Sequence, residues 1–292
     1  MLVTMNEILQ DARENHYAVI AATMFDETNV RVAIAAAVEK HSPLILNVNL
    51  STDFVKNDED CMVTLQMMRQ RAACALVPVA INADHCRTME TVMKAIHSGF
   101  TSVMIDASAL EFQDNIAVTK KVAEMAHTCG MSVEAELGCV GVGNPTDKDT
   151  MKSMGDKAVR NIYTVPEEAK LFVNETNVDV LAVSIGNAHG PFAKDITPHI
   201  EFELLQELSE QTNIPLALHG GSGTGDENLT KACEIGICKI NVASDLMMEQ
   251  IKGFEESKTT GFSRFRFEKA LEAYKNEIMR YIDVSKSAGR IR

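Results

Sequence analysis

Short apolar runs bounded by turn residues recur along this chain, and between them lie longer stretches with apolar residues three and four apart. Eight such runs occur, at 17–22 (YAVIAA), 43–49 (PLILNVN), 77–84 (VPVAINAD), 102–107 (SVMIDA), 132–137 (SVEAEL), 180–186 (VLAVSIG), 215–220 (PLALHG) and 238–244 (CKINVAS). Most are continuously apolar, the pattern of parallel strands covered on both faces. The stretches between them, such as 30–37 (VRVAIAAA), 89–96 (METVMKAI) and 166–173 (PEEAKLFV), carry helical spacing. Thr164 is a candidate cap for the last of these, with Glu167 and Glu168 favourable at the positive end of the helix dipole. Eight strand-then-helix units predict an α/β fold, a closed (β/α)8 TIM barrel forming one domain over 1–292, with an open doubly wound sheet as the alternative.

Two segments depart from the bare repeat. The stretch 138–163, rich in Gly, Asp, Lys and Met, reads as a long loop after the fifth strand, over one mouth of the barrel. The stretch 262–283 reads as an amphipathic C-terminal helix that caps the barrel or meets a second subunit.

Composition narrows the functional classes. A length of 292 residues with 46% apolar and 24% charged positions suits a single globular barrel. A net charge of −13, with no Lys/Arg stripe, excludes a nucleic-acid partner but leaves room for a small anionic ligand met by local donors. The odd set Cys61, Cys74, Cys86, Cys129, Cys139, Cys233 and Cys238 contains no C-x-x-C pair and reads as reduced thiols. No basic start with an apolar run marks a secretion signal, and no stretch is apolar enough for a membrane, so a cytoplasmic protein is expected.

The chemistry comes from polar residues at the ends of the predicted strands. His85 follows the third run, His189 lies just past the sixth and His219 ends the seventh. In a parallel barrel all strand C-termini open at one face, so the three imidazoles can converge there. Three imidazoles with one open position form a catalytic zinc pattern, although another divalent metal would also serve. Asp84 stands beside His85, suited to proton transfer next to a Lewis acid. Asp106 and Glu136 end the fourth and fifth runs, either as further site carboxylates or as a hydrogen-bonded layer that holds the histidines. His16, His41, His97, His127 and His199 fall in helical or loop segments and are assigned no role. After the last two strands, HGGSGTG supplies Gly220, Gly221 and Ser222, and NVAS supplies Asn241, Val242, Ala243 and Ser244, where backbone N–H groups and a helix N-terminus can cradle a phosphate. Metal, phosphate and a proton-transfer carboxylate together suggest stabilisation of an enediolate derived from a phosphorylated ketose.

SVMIDAS, SVEAELG, LAVSIGNAHG, LALHGGSG and ICKINVAS each resemble a block of the class II, metal-dependent ketose-bisphosphate aldolases, in the same order and spacing from about Ile8 onward, with closest likeness to the tagatose-bisphosphate branch. The resemblance implies a zinc enzyme that splits a ketose 1-phosphate or bisphosphate into dihydroxyacetone phosphate and an aldehyde. By the same resemblance His85, His189 and His219 are the zinc ligands, Asp84 the proton donor, and Asp106 and Glu136 the holders of a displaced or second metal position. Gly190, Gly220, Ser222, Asn241 and Ser244 would bind the phosphate, with a monovalent cation nearby, in a homodimer or homotetramer. Several places set this chain apart within the family pattern. ADHC replaces LDHG and puts Cys86 beside a ligand; Thr23 and Asn49 replace the usual Asn and Ser; and Ala243 is of the tagatose type. The loop GCVGVGNPTDKD lacks the usual Gly-Gly and acidic pair, so Asp147 and Asp149 are either substitute catalytic carboxylates or solvated loop charges. A non-catalytic sugar-phosphate-binding or accessory subunit is the alternative that this loop motivates. Lys239, within the eighth run, is the candidate for Schiff-base chemistry, a route the three histidines make redundant.

Overall fold

The computed structural model describes residues 1–50, 58–142, 163–189, 199–257 and 263–291. The strands are β1 Val19–Thr23, β2 Leu44–Asn49, β3 Val79–Cys86, β4 Ser102–Ile105, β5 Ser132–Leu137, β6 Gly141–Val142, β7 Val180–Val183, β8 Ala188–His189, β9 Leu216–Leu218 and β10 Ile237–Val242. Eight of them close a parallel barrel in the order β1-β2-β3-β4-β5-β7-β9-β10, with β10 returning to β1 through the register Val19↔Lys239. This closure removes the open-sheet alternative. Each predicted run overlaps one barrel strand, and the remaining pair, β6 and β8, forms a separate two-stranded sheet.

Two apolar layers hold the barrel. One lies between the strands and the surrounding helices, where Ile20, Leu46, Ile81, Val103, Val133, Leu181 and Ile240 are buried. The other fills the lower half of the barrel, with Val19, Ala21, Ile45, Ala80, Met104, Val180, Ala182 and Ala217. This inner layer is sealed by the helix Met5–Glu14, which contributes Met5, Ile8, Leu9 and Ala12. The helix is not among the predicted repeat units. Its first backbone N–H groups donate to Ser102 Oγ (3.0 Å from Met5) and Ser132 Oγ (2.9 Å from Asn6), hydroxyls at the starts of β4 and β5.

Thr164 does not cap the helix Pro166–Thr176. Val165 occupies the cap position without a side-chain bond, and Pro166 needs no donor partner at the first turn. The Thr164 hydroxyl instead donates to Leu137 O (2.6 Å) and accepts from Ser184 N (2.9 Å), joining the upper ends of β5 and β7. The predicted loop 138–163 starts with β6, and 143–162, including Asp147 and Asp149, lies outside the described residues. The predicted C-terminal helix is Ser263–Val284, which buries Ala270, Tyr274, Ile278, Tyr281 and Ile282. Among the described residues no helix is long and apolar enough to cross a membrane.

Candidate active site

Strand alternation explains most of the polar lining of the upper barrel. Ala80 faces the inner layer, so Asn82 and Asp84, two and four residues on, face inward as well. The same rule aligns Glu134 with Glu136 on β5, Lys239 with Asn241 on β10, and Ala217 with His219 just past β9. By that rule His85 would point away from Asp84, toward the outer helices. A break in register between Ala83 and Cys86, together with a left-handed φ of 50° at His85, turns its ring back to the mouth. A non-glycine residue in this conformation costs about 1–3 kcal/mol, strain that accumulates at functional sites.

The three predicted imidazoles meet. Ring centroids lie 5.4 Å (His85 to His189), 4.9 Å (His85 to His219) and 5.8 Å (His189 to His219) apart. His85 Nε2 is 3.2 Å from His219 Nδ1. One nitrogen from each ring lies within 4.8 Å of the others. His189 reaches the cluster from β8, which pairs with β6 through Val142↔His189. Asn187 anchors that approach by donating from Nδ2 to His219 O (2.9 Å), while its Oδ1 accepts from Ile185 N (2.9 Å).

Carboxylates surround the rings. Asp106 Oδ2 lies 3.1 Å from His85 Nδ1 and also meets Arg87 Nε at 3.2 Å. Asp84 Oδ2 lies 3.9 Å from His85 Nε2. Glu134 Oε1 is 2.8 Å from His219 Nε2, and its Oε2 is 2.6 Å from Lys239 Nζ. Burial opposes charge on His85, yet Asp84, Asp106 and Glu136 together carry its pKa up to about 9. Burial, with His85 and His219 nearby, drives His189 down to about 3. Burial also opposes charge on Glu134, but Lys239 and His219 hold it down at about 2. Glu136 is pushed up by burial and by Asp106.

This donor set fits a divalent cation. Both ring nitrogens of His189 and Glu136 Oε2 are buried without a hydrogen-bond partner among the described residues, a cost of about 1–3 kcal/mol for each neutral group that a shared ligand would remove. His85, Asp106 and Glu136 form a second group whose ligand atoms lie within 4.8 Å of one another. Three imidazoles with carboxylates behind them match a catalytic zinc environment. Cys86 does not join it. Its side chain is buried, its Sγ faces Ala83 O at 3.9 Å, and burial pushes the thiol up to about 12.

The expected phosphate segments also meet, except Gly190, which lies outside the described residues. Gly221 N donates to Asn241 O (2.9 Å), and Ser222 Oγ accepts from Ala243 N (3.3 Å) and Asp245 N (3.2 Å). Val242 ends β10, and Ser244 opens the helix Ser244–Glu256. Gly220 has φ +67°, and a Cβ on it would lie 2.0 Å from Ala188 O. Asn241 Nδ2 lies 3.4 Å from Asp84 Oδ1, linking this cradle to the metal cluster.

The reading of strand ends did not single out Glu134 or Asn187. Glu134 carries a period-two signal, lying two residues before Glu136 in VEAEL, whereas Asn187 acts through a loop geometry that no spacing announces. Lys239 is fully buried and ion-paired, which removes it as a free amine for covalent chemistry.

Comparison with known proteins agrees with this geometry. The profile of the family described as fructose-bisphosphate aldolase class-II matches residues 3–290. A Bacillus subtilis strain 168 protein named probable fructose-bisphosphate aldolase is 37% identical over 256 residues, 88% of this chain and 86% of its own. The fructose-bisphosphate aldolase of Staphylococcus aureus strain Mu50 is 36% identical over 255 residues, 87% and 85% of the two chains. The crystal structure of the YdjI aldolase from Escherichia coli K12 superposes with a TM-score of 0.85 at 32% identity, covering 100% of both chains. With a closed barrel, three converging imidazoles at its mouth and a profile that spans nearly its whole length, the chain belongs to the class II fructose-bisphosphate aldolase family.

Proposed function

We propose that this aldolase splits a ketose 1-phosphate or ketose bisphosphate into dihydroxyacetone phosphate and an aldehyde, and joins them in reverse, with zinc on His85, His189 and His219. The observation that carries this reading is the meeting of the three rings, with both nitrogens of His189 buried and unpartnered among the described residues. The bound cation supplies a Lewis acid for the carbonyl side of the substrate. Asp84, 3.9 Å from His85 Nε2, takes the hydroxyl proton as the carbon–carbon bond breaks and returns it to the aldehyde oxygen in condensation. Asp106 orients His85, and Glu136 offers a second position for the cation.

The segments Gly220, Gly221, Ser222 and Asn241, Val242, Ala243, Ser244, with Gly190, hold the phosphate at the start of the helix Ser244–Glu256, where a monovalent cation would balance charge. Asp147 or Asp149 moves the proton at the carbon next to the carbonyl. Ala243 favours a tagatose-type bisphosphate over fructose 1,6-bisphosphate. The whole of 1–292 acts as one cytoplasmic domain, and exposed Met248, Ile251, Phe265 and Phe267 on the C-terminal helix pair suit a homodimer or homotetramer.

The test is a retro-aldol screen of ketose 1-phosphates and bisphosphates, both epimers named above included, with dihydroxyacetone phosphate read by its enzymatic reduction. Zinc-loaded protein is expected to release it from at least one substrate, and chelation to abolish the release until zinc is restored. No release from any substrate would favour a non-catalytic sugar-phosphate-binding subunit instead.

A further inference from the structure

The pair Glu134 and Lys239 is unexplained by packing or by the reaction as derived. Both side chains have 0% exposure inside the barrel, their charged atoms 2.6 Å apart. A buried ion pair rarely stabilises a fold more than apolar residues of the same volume would, so stability alone does not account for it. The pair ends on a ring nitrogen of one predicted metal ligand, His219 Nε2, 2.8 Å from Glu134 Oε1.

We propose that Lys239 and Glu134 are positioning residues that hold the His219 proton on Nε2 and so leave Nδ1 as the lone pair turned toward His85 and the cation. This inference rests on the metal reading above. A carboxylate paired with an ammonium is an acceptor only, so the proton between Oε1 and Nε2 belongs to the imidazole. Without that acceptor the ring could carry its proton on Nδ1, which would aim a donor at His85 Nε2, 3.2 Å away. Lys239 therefore acts through Glu134: by gripping Oε2 at 2.6 Å it fixes the acceptor that leaves Nδ1 for a cation. The backbone of His219 is separately tied by Asn187 to its carbonyl, which fixes where the ring starts but not which way its nitrogens are used.

The decisive variant is E134L/K239M, which removes both buried charges at near-constant volume and takes the acceptor from Nε2. Two measurements are made beside the melting midpoint. In metal-free wild type, nitrogen NMR of His219 is expected to show the Nε2–H tautomer, and in the variant a mixture. The zinc dissociation constant, measured by chelator competition, is expected to rise about 10- to 100-fold in the variant while the melting midpoint stays near wild type. A folded variant that binds zinc within about twofold of wild type, or a wild-type His219 protonated on Nδ1, would overturn the proposal. If E134L/K239M does not fold, E134Q/K239M serves with the same two readouts, because its amide presents either a donor or an acceptor to Nε2. Should wild type bind no divalent metal at all, the metal reading fails, and the tautomer measurement still judges the pair.

Discussion

Gly220→Ala separates the geometry of the site from the stability of the fold. Gly220 sits between the ligand His219 and the phosphate cradle at φ +67°, and its new Cβ would lie 2.0 Å from Ala188 O, 2.5 Å from Ala188 C and 3.1 Å from His189 N. Real contacts essentially never fall under 3.0 Å, so β8 and the Gly220 backbone must separate by about 1 Å, and the expected outcome is that the two-residue β8 gives way. That strand carries His189, so the retreat draws one imidazole away from the other two. A misplacement of this size near a reacting centre can cost about 100-fold in rate. The left-handed backbone adds about 1–2 kcal/mol for an alanine. Gly130→Ala supplies the control, since Gly130 has φ +73° and nothing within 4 Å of its Cβ, so it incurs the backbone cost without the clash. Melting midpoints, zinc affinity by chelator competition, and kcat/KM for retro-aldol cleavage at saturating zinc are measured on both variants. G130A is expected to lose stability only, whereas G220A loses zinc affinity and about two orders of magnitude in kcat/KM. If G220A keeps the affinity and activity of G130A, the claim that Ala188 sets the position of His189 is wrong.

Asp84→Asn removes the proposed proton carrier while keeping its shape, so kcat should fall about 10²- to 10⁴-fold with zinc content unchanged by metal analysis. Loss of zinc in that variant would make Asp84 a ligand instead. Cys86→Ala should retain stoichiometric zinc, and the native thiol should resist alkylation until the chain unfolds, because burial holds it neutral up to about 12. Rapid alkylation of Cys86 in the folded protein, followed by mass spectrometry, would contradict its assigned burial.

The barrel was legible because its signal is repeated. Eight apolar runs alternate with helical spacing, and a parallel sheet covered on both faces keeps each strand mostly apolar, with polar residues confined to its inward positions near the upper mouth. The three histidines were legible because a barrel brings all strand ends to one rim. Three features escaped for physical reasons. The helix Met5–Glu14 precedes the first unit and is amphipathic without belonging to the repeat, so periodicity cannot say that it closes the lower mouth. Thr164 matched a capping pattern by residue type, but its hydroxyl found stronger partners across the chain at Leu137 O and Ser184 N. Local propensity gave way to tertiary contact there. The direction of His85 was hidden too, since alternation assigns Asp84 and His85 to opposite faces and only the broken register after Ala83 brings both to the mouth.

Apolar packing elsewhere in the fold lets the molecule accommodate a polar interior around that site. Barrels usually fill their centre with branched apolar side chains. Here the lower half does so, while the upper half holds Asn47, Asn82, Asp84, Glu134, Lys239, Asn241 and His219, all buried. Several of their atoms, among them Asn47 Nδ2, Asn82 Oδ1 and Asn241 Oδ1, have no hydrogen-bond partner among the described residues. Unpaired buried polar atoms cost about 1–3 kcal/mol each, so a sequence selected for stability alone would replace them. The outer layer of packed helices and the helix beneath the barrel keep the frame closed without help from the upper interior. The upper interior is therefore free to be built for chemistry, and the strained backbone at His85 is tolerated because apolar packing on β3, outward at Val79, Ile81 and Ala83 and inward at Ala80, holds the strand below it on both faces of the sheet.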